Sequence, residues 1–85
     1  MDAESLLTEA LRLFERLDIA IRRAHLGGDG GGLCRLGDRR MVFLDLDADV
    51  QTQLSRCLSA LAALPQIDDV FVSPALRVLI DKSDP

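Results

Sequence analysis

Three carboxylates at alternate positions, Asp45, Asp47 and Asp49, follow the apolar run Met41-Val42-Phe43-Leu44. Acids in such a pattern can hold a divalent cation through oxygen ligands, or pair an attacking carboxylate with a proton carrier. Upstream lies Gly27-Gly28-Asp29-Gly30-Gly31-Gly32, a run of five glycines and one aspartate. Backbone N–H groups in a loop of that kind can cradle an anion. His25, Cys34 and Cys57 are the soft donors, spaced by 9 and 23 residues. Zinc sites do not use that spacing, and no acid is placed to orient a Cys–His pair. The candidate binding residues are therefore Asp45, Asp47, Asp49, Cys34 and His25, with no catalytic residue, metal or cofactor assigned.

Each candidate motif lacks parts. The segment 41–50 resembles the first motif of haloacid-dehalogenase-type phosphatases, an apolar strand ending in Asp-x-Asp. The resemblance would make Asp45 the nucleophile and Asp47 the proton carrier. That family continues with Gly-Thr, where this chain has Ala48-Asp49, and it needs a downstream lysine, whereas Lys82 is the sole lysine here. Read as a calcium loop of the EF-hand kind starting at Asp45, the chain has Val50 where glycine is needed and Arg56 where glutamate is needed. The glycine run lacks the Gly-Lys-Ser/Thr ending of a phosphate loop. A small-anion site in it, helped by Arg35, Arg39 or Arg40, stands as a weaker alternative. The simplest reading of the acids is that they start a helix.

The elements around these residues follow from periodicity. Ala3, Leu6, Leu7, Ala10, Leu11, Phe14 and Leu17 form one apolar stripe, which predicts a helix over 3–17. Residues 18–26 fit a helix continuation or a strand with Ile19 and Ile21 on one face. The β-branched residues and the glycines beyond favour the strand. Residues 33–36 and 41–45 read as a β-hairpin around Gly37-Asp38-Arg39. Asp47 or Asp49 caps a helix over 49–64, which Pro65 ends. A short extended piece over 69–72 precedes Ser73-Pro74, a cap followed by proline in a first helical turn, and a helix over 74–82. The fold class is a single α+β domain over 1–85: an antiparallel sheet of about three strands against two longer helices and a short C-terminal one.

The bulk properties narrow the function. The chain has 85 residues, a net charge of −4, and 48% hydrophobic and 28% charged residues. An acidic chain without aromatics among its basic pairs argues against nucleic acid. No apolar run reaches the ~18–20 residues of a membrane span. The expected compartment is the cytoplasm, with both cysteines reduced.

A hairpin, an acidic turn and then a helix resembles the core of small zincin-type metallopeptidases, over about residues 33–64. The matching helix, Leu54-Ser55-Arg56-Cys57-Leu58-Ser59-Ala60-Leu61-Ala62-Ala63-Leu64, has no His and no Glu. That resemblance implies the architecture without the zinc centre. The whole chain is similar to short bacterial proteins of unassigned activity that carry Gly-Gly-Leu-Cys-Arg-Leu, here residues 31–36. The leading expectation is a non-enzymatic protein acting by association, with itself as a homodimer, through Leu33, Leu36, Val42 and Leu44. The alternatives are an inactive zincin relative, or a metal- or phosphate-dependent site at the three aspartates.

Overall fold

Asp2 starts the first helix, its carboxylate accepting from the Ser5 N–H at 2.8 Å. A computed structural model describes residues 2–28 and 30–84 of the chain; Asp29 in the glycine run and Pro85 in the tail lie outside it. Helix α1, Ala3–Arg16, buries Leu6, Leu7, Ala10, Leu13 and Phe14. Leu13 is a core residue outside the expected stripe, so the buried face is wider than the three- and four-residue steps suggest.

The end of α1 sets the entry to the sheet. Asp18 takes a left-handed conformation, φ +58°, as the first residue past the Leu17 cap. The Asp18 N–H reaches the Glu15 carbonyl and the Ile19 N–H reaches the Phe14 carbonyl at 2.9 Å. This is the paired hydrogen bonding of a Schellman ending, built on aspartate rather than glycine. It turns the chain at once into β1, Ala20–Ala24.

Strand β2, Gly32–Leu36, and strand β3, Arg39–Asp45, form the expected hairpin. Its turn is the two residues Gly37 and Asp38, with Gly37 at φ +62° and Leu36 paired to Arg39. Positive φ at the first turn residue matches the twist of the flanking strands. The strand order is β1-β3-β2. β2 runs antiparallel to β3, but β1 runs parallel to it, with Ala20 opposite Met41 and Ala24 opposite Asp45. The sheet is therefore mixed rather than wholly antiparallel. The reason is the route of the chain. The glycine loop leaves the end of β1, crosses the end of β3 and enters β2 on the far side.

Helix α2, Val50–Ala62, is capped by Asp49, whose carboxylate accepts from the Thr52 N–H at 2.7 Å. A 3-10 turn, Pro65–Asp69, follows, and Val70 is extended. The expected extended piece over 69–72 is thus shortened at its start. Helix α3, Pro74–Asp81, is capped by Ser73. Glu9 of α1 accepts from the Ser73 N–H at 2.9 Å and its hydroxyl at 2.7 Å, tying α3 to α1.

Helix α1 packs on β1, α2 on β2 and β3, and α3 on both longer helices. Phe14, Leu13, Leu61, Leu64, Leu76 and Val42 are the large side chains most completely enclosed. Side chains alternate along a strand. Val42 and Leu44 point into this core and are 1% and 6% exposed, so they are packing residues and not surface for a partner. Ile21 and Leu33 pack against the same core. Of the four expected interface residues, only Leu36 lies in the open, at 58% exposure. No helix among the described residues is long and apolar enough to cross a membrane.

An aspartate at φ +58° holds a conformation that glycine adopts without a Cβ penalty. Asp18→Gly is expected to raise stability by ~0.5–1 kcal/mol, read as a higher urea midpoint at unchanged slope.

Candidate functional site

The candidate site is built where the glycine loop crosses the end of β3. Asp45, the last residue of β3, is 3% exposed and is the one buried charged side chain among the described residues. Its Oδ1 accepts from the Leu26 N–H at 3.0 Å and the Asp47 N–H at 2.9 Å. Its Oδ2 accepts from the Gly28 N–H at 2.8 Å and the Gly30 N–H at 3.1 Å. A carboxylate offers about four acceptor positions, so these four donors fill it. The Asp45 carbonyl takes two more, from the Ala48 N–H at 3.2 Å and the Gln53 side-chain amide at 2.8 Å. The loop, the acidic turn and the first turns of α2 thus converge on one residue.

Asp47 holds the other side of the loop. Its Oδ2 accepts from the Gly27 N–H at 2.9 Å, and its Oδ1 lies 2.8 Å from His25 Nδ1. An ionised carboxylate only accepts, so Nδ1 carries the proton. The loop's tight path explains its composition. A Cβ on Gly31, at φ +94°, would lie 2.8 Å from the Phe43 carbonyl oxygen, and one on Gly30 would lie 2.7 Å from the Leu26 Cβ. Side chains at these positions would push the loop off the strand end.

The electrostatics follow the hydrogen bonds. Burial pushes the Asp45 carboxyl up, but the N–H groups of Leu26, Asp47, Gly30 and Gly28 together pull it below its ordinary value. Asp47 is lowered chiefly by the hydrogen bond from His25 and then by that from Gly27. Asp49 is lowered by the Thr52 N–H. Burial pushes the Cys57 thiol up to about 11, which removes it as a thiolate nucleophile at neutral pH.

The three alternate aspartates therefore do separate jobs. Asp49 starts the helix, as one of the two expected caps. Asp45 and Asp47 instead bind the glycine loop, a role that the spacing of the acids did not suggest. No group of three or more His, Cys, Asp or Glu side chains among the described residues is arranged to hold a metal ion. The loop amides of Leu26, Gly27, Gly28 and Gly30 already face an internal anion. Arg35, Arg39 and Arg40 lie at the hairpin end of β3, away from the loop. They line an open cavity of about 500 Å³ with Asp18, Asp38 and Gln66. His25 is exposed and held by Asp47, whereas Cys34 borders a separate hollow of about 240 Å³ beside Leu26, Gly32 and Phe43.

A second surface was read only in part from the sequence, through Leu36 and Cys34 but not Met41 or Phe43. The face of the sheet away from the helices carries Cys34 and Leu36 of β2, Met41 and Phe43 of β3, and Ala20 and Arg22 of β1. Phe43 has Gly32 on one flank and Arg22 on the other. A Cβ built on Gly32 meets nothing within 4 Å. The four apolar residues 41–44 hid this division, because an unbroken apolar run does not show which alternate pair faces the core.

Comparison with protein-family models, curated proteins and solved structures finds no match for the chain.

A carboxyl whose folded value is depressed stabilises the fold above its unfolded value and loses that contribution as pH falls through the folded value. Asp45, Asp47, Asp49 and the helix cap Asp2 all have this sign, starting from an ordinary 3.8. Stability from these groups is expected to hold at neutral pH and to fall progressively below about pH 4–5. Asp45→Asn sets an NH₂ against two N–H donors. It is expected to lower Tm by roughly 10 °C at pH 7 and to flatten the acid limb, read by thermal unfolding at pH 7 and pH 3.

Proposed function

We propose that this chain works by protein association, in the first instance with itself, and that the helix-free face of its sheet is the contact surface. The observation that carries this reading is the row Cys34, Leu36, Met41 and Phe43. These side chains project away from all three helices, and Met41, Phe43 and Cys34 are only half-buried. An apolar face left open on a small sheet is a recurrent place for a partner to pack. Both outer strands, β1 and β2, are also edges, each with one unpaired side.

The same reading makes the protein non-catalytic. The one buried acid among the described residues has every acceptor position occupied, and the exposed His25 is paired with Asp47. Architectural kinship to zincin-type metallopeptidases without their zinc chemistry is compatible with this. The two free cysteines fit a reducing compartment, the cytoplasm being the simplest.

Sedimentation velocity over a wide concentration range tests the proposal. The parent chain is expected to form a dimer, and Phe43→Asp, which sets a charge at the centre of the open face, to weaken it at least tenfold, about 1.4 kcal/mol. Far-UV circular dichroism should stay unchanged, because Phe43 points away from the core. A parent that stays strictly monomeric at high concentration removes the reading.

A further inference from the structure

At the hairpin end of the sheet, Arg35 of β2 stands directly opposite Arg40 of β3. Like charges in that position destabilise a strand pair, because their Cβ atoms are only ~4.5–5.5 Å apart. All three arginines, Arg39 included, line the cavity of about 500 Å³ bordered by the hairpin end, the turn into β1 and the 3-10 turn. The repulsion is not relieved internally. Arg35 Nε donates to the Gly37 carbonyl at 3.0 Å, and its two terminal amino groups have no partner among the described residues. The side chains of Arg39 and Arg40 make no hydrogen bond or ion pair with any described residue, their backbones alone being paired with β2. Asp18 and Asp38 line the same cavity and pair with none of the three. Arg77 shows the contrast, since it is held by both Asp68 and Asp81.

We infer that this cleft is an oxyanion site that takes a phosphate group, free or as the head of a small ester. Guanidinium groups are planar forks that bind phosphate through paired N–H donors. Arg40, half-buried on the helix side of the sheet, and Arg35 beside it provide two such forks on one wall. Gln66 of the 3-10 turn adds an amide to the lining, and Arg39 adds charge to it. A bound dianion turns the unfavourable Arg35–Arg40 pair into a favourable triad. The volume exceeds one phosphate, which leaves room for the organic part of an ester. Arg35 and Arg40 lie on the other side of the sheet from Phe43, although Met41 and Ala20 of the open face also line this cavity.

The test is isothermal titration of the full chain with inorganic phosphate and, separately, with glycerol phosphate, at ionic strength fixed with chloride. Binding in the millimolar range or tighter is expected. Tighter binding of the ester assigns the site to an esterified phosphate, and equal binding assigns it to the free ion. Arg40→Gln and Arg35→Gln should each weaken binding at least tenfold, yet melt no lower than the parent in chloride, because each removes the repulsion. Arg23→Gln, a loss of equal charge on β1, should bind as the parent does. Phosphate binding no stronger than that of chloride, or binding that survives in both Arg35→Gln and Arg40→Gln, overturns the site.

Discussion

The carboxylate of Asp45 is the constraint on which the sheet depends. Strands β1 and β2 flank β3, so the loop between them must cross two strand spacings, ~10 Å, over the end of the central strand. A loop this rich in glycine has little side-chain surface to bury and much backbone entropy to lose. Its crossing must therefore be held by its own amides. Asp45 ends β3 directly beneath and receives two of the loop's glycine N–H groups and that of Leu26. The fourth donor, the Asp47 N–H, folds the acidic turn back toward the same point. The parallel pairing of β1, the start of β2 and the position of α2 are coupled through this one side chain. An anion-cradling loop is present, but the anion is part of the chain.

Charge is divided along β3 in a way that the net value conceals. The strand begins Arg39-Arg40 and ends in Asp45. At its acidic end each carboxylate has hydrogen-bond donors, so negative charge there is stabilised in place. At its basic end, positive charge is gathered around a cavity and left without acidic partners. A net charge of −4 describes neither end. Local potential depends on the arrangement of charges, and clefts concentrate it. The low basic content of the chain thus says little about what the hairpin end attracts.

Much of this fold is legible in the residues. The three helices are announced by caps and apolar periodicity: Asp49 before Val50, and Ser73-Pro74 before Leu76. Gly37-Asp38 marks the hairpin, and the glycine run marks a loop. Those signals are local, and they survive because nothing tertiary opposes them. Other features were beyond reach for physical reasons. The parallel sense of β1 is a property of the route, not of residues 20–24. Asp45 meets its loop partners at separations of 15, 17 and 19 residues, and no short-range rule links them. The choice between Asp47 and Asp49 as cap was undecidable, since both are acids in the right place; the glycine loop claims the first. Leu13 escaped the expected stripe because α1 is covered by α2 on one side and by β1 and α3 on others, which widens its buried arc.

The two faces of β3 differ for a reason that composition cannot supply. Val42 and Leu44 are covered because α2 starts from the acidic turn and runs back along the sheet, while α1 closes over β1. α3 does not reach the opposite face. Glu9 anchors its first turn to α1, and Leu76 and Ile80 commit it to the helical layer. With all three helices on one side, Met41 and Phe43 keep only the neighbouring strands as cover. Those strands present Gly32, Cys34, Ala20 and Arg22, which are small or charged side chains. A hydrophobic strand that is central in its sheet yet served by helices on one face alone has its remaining apolar surface set by topology. The described fold places no second layer over that surface.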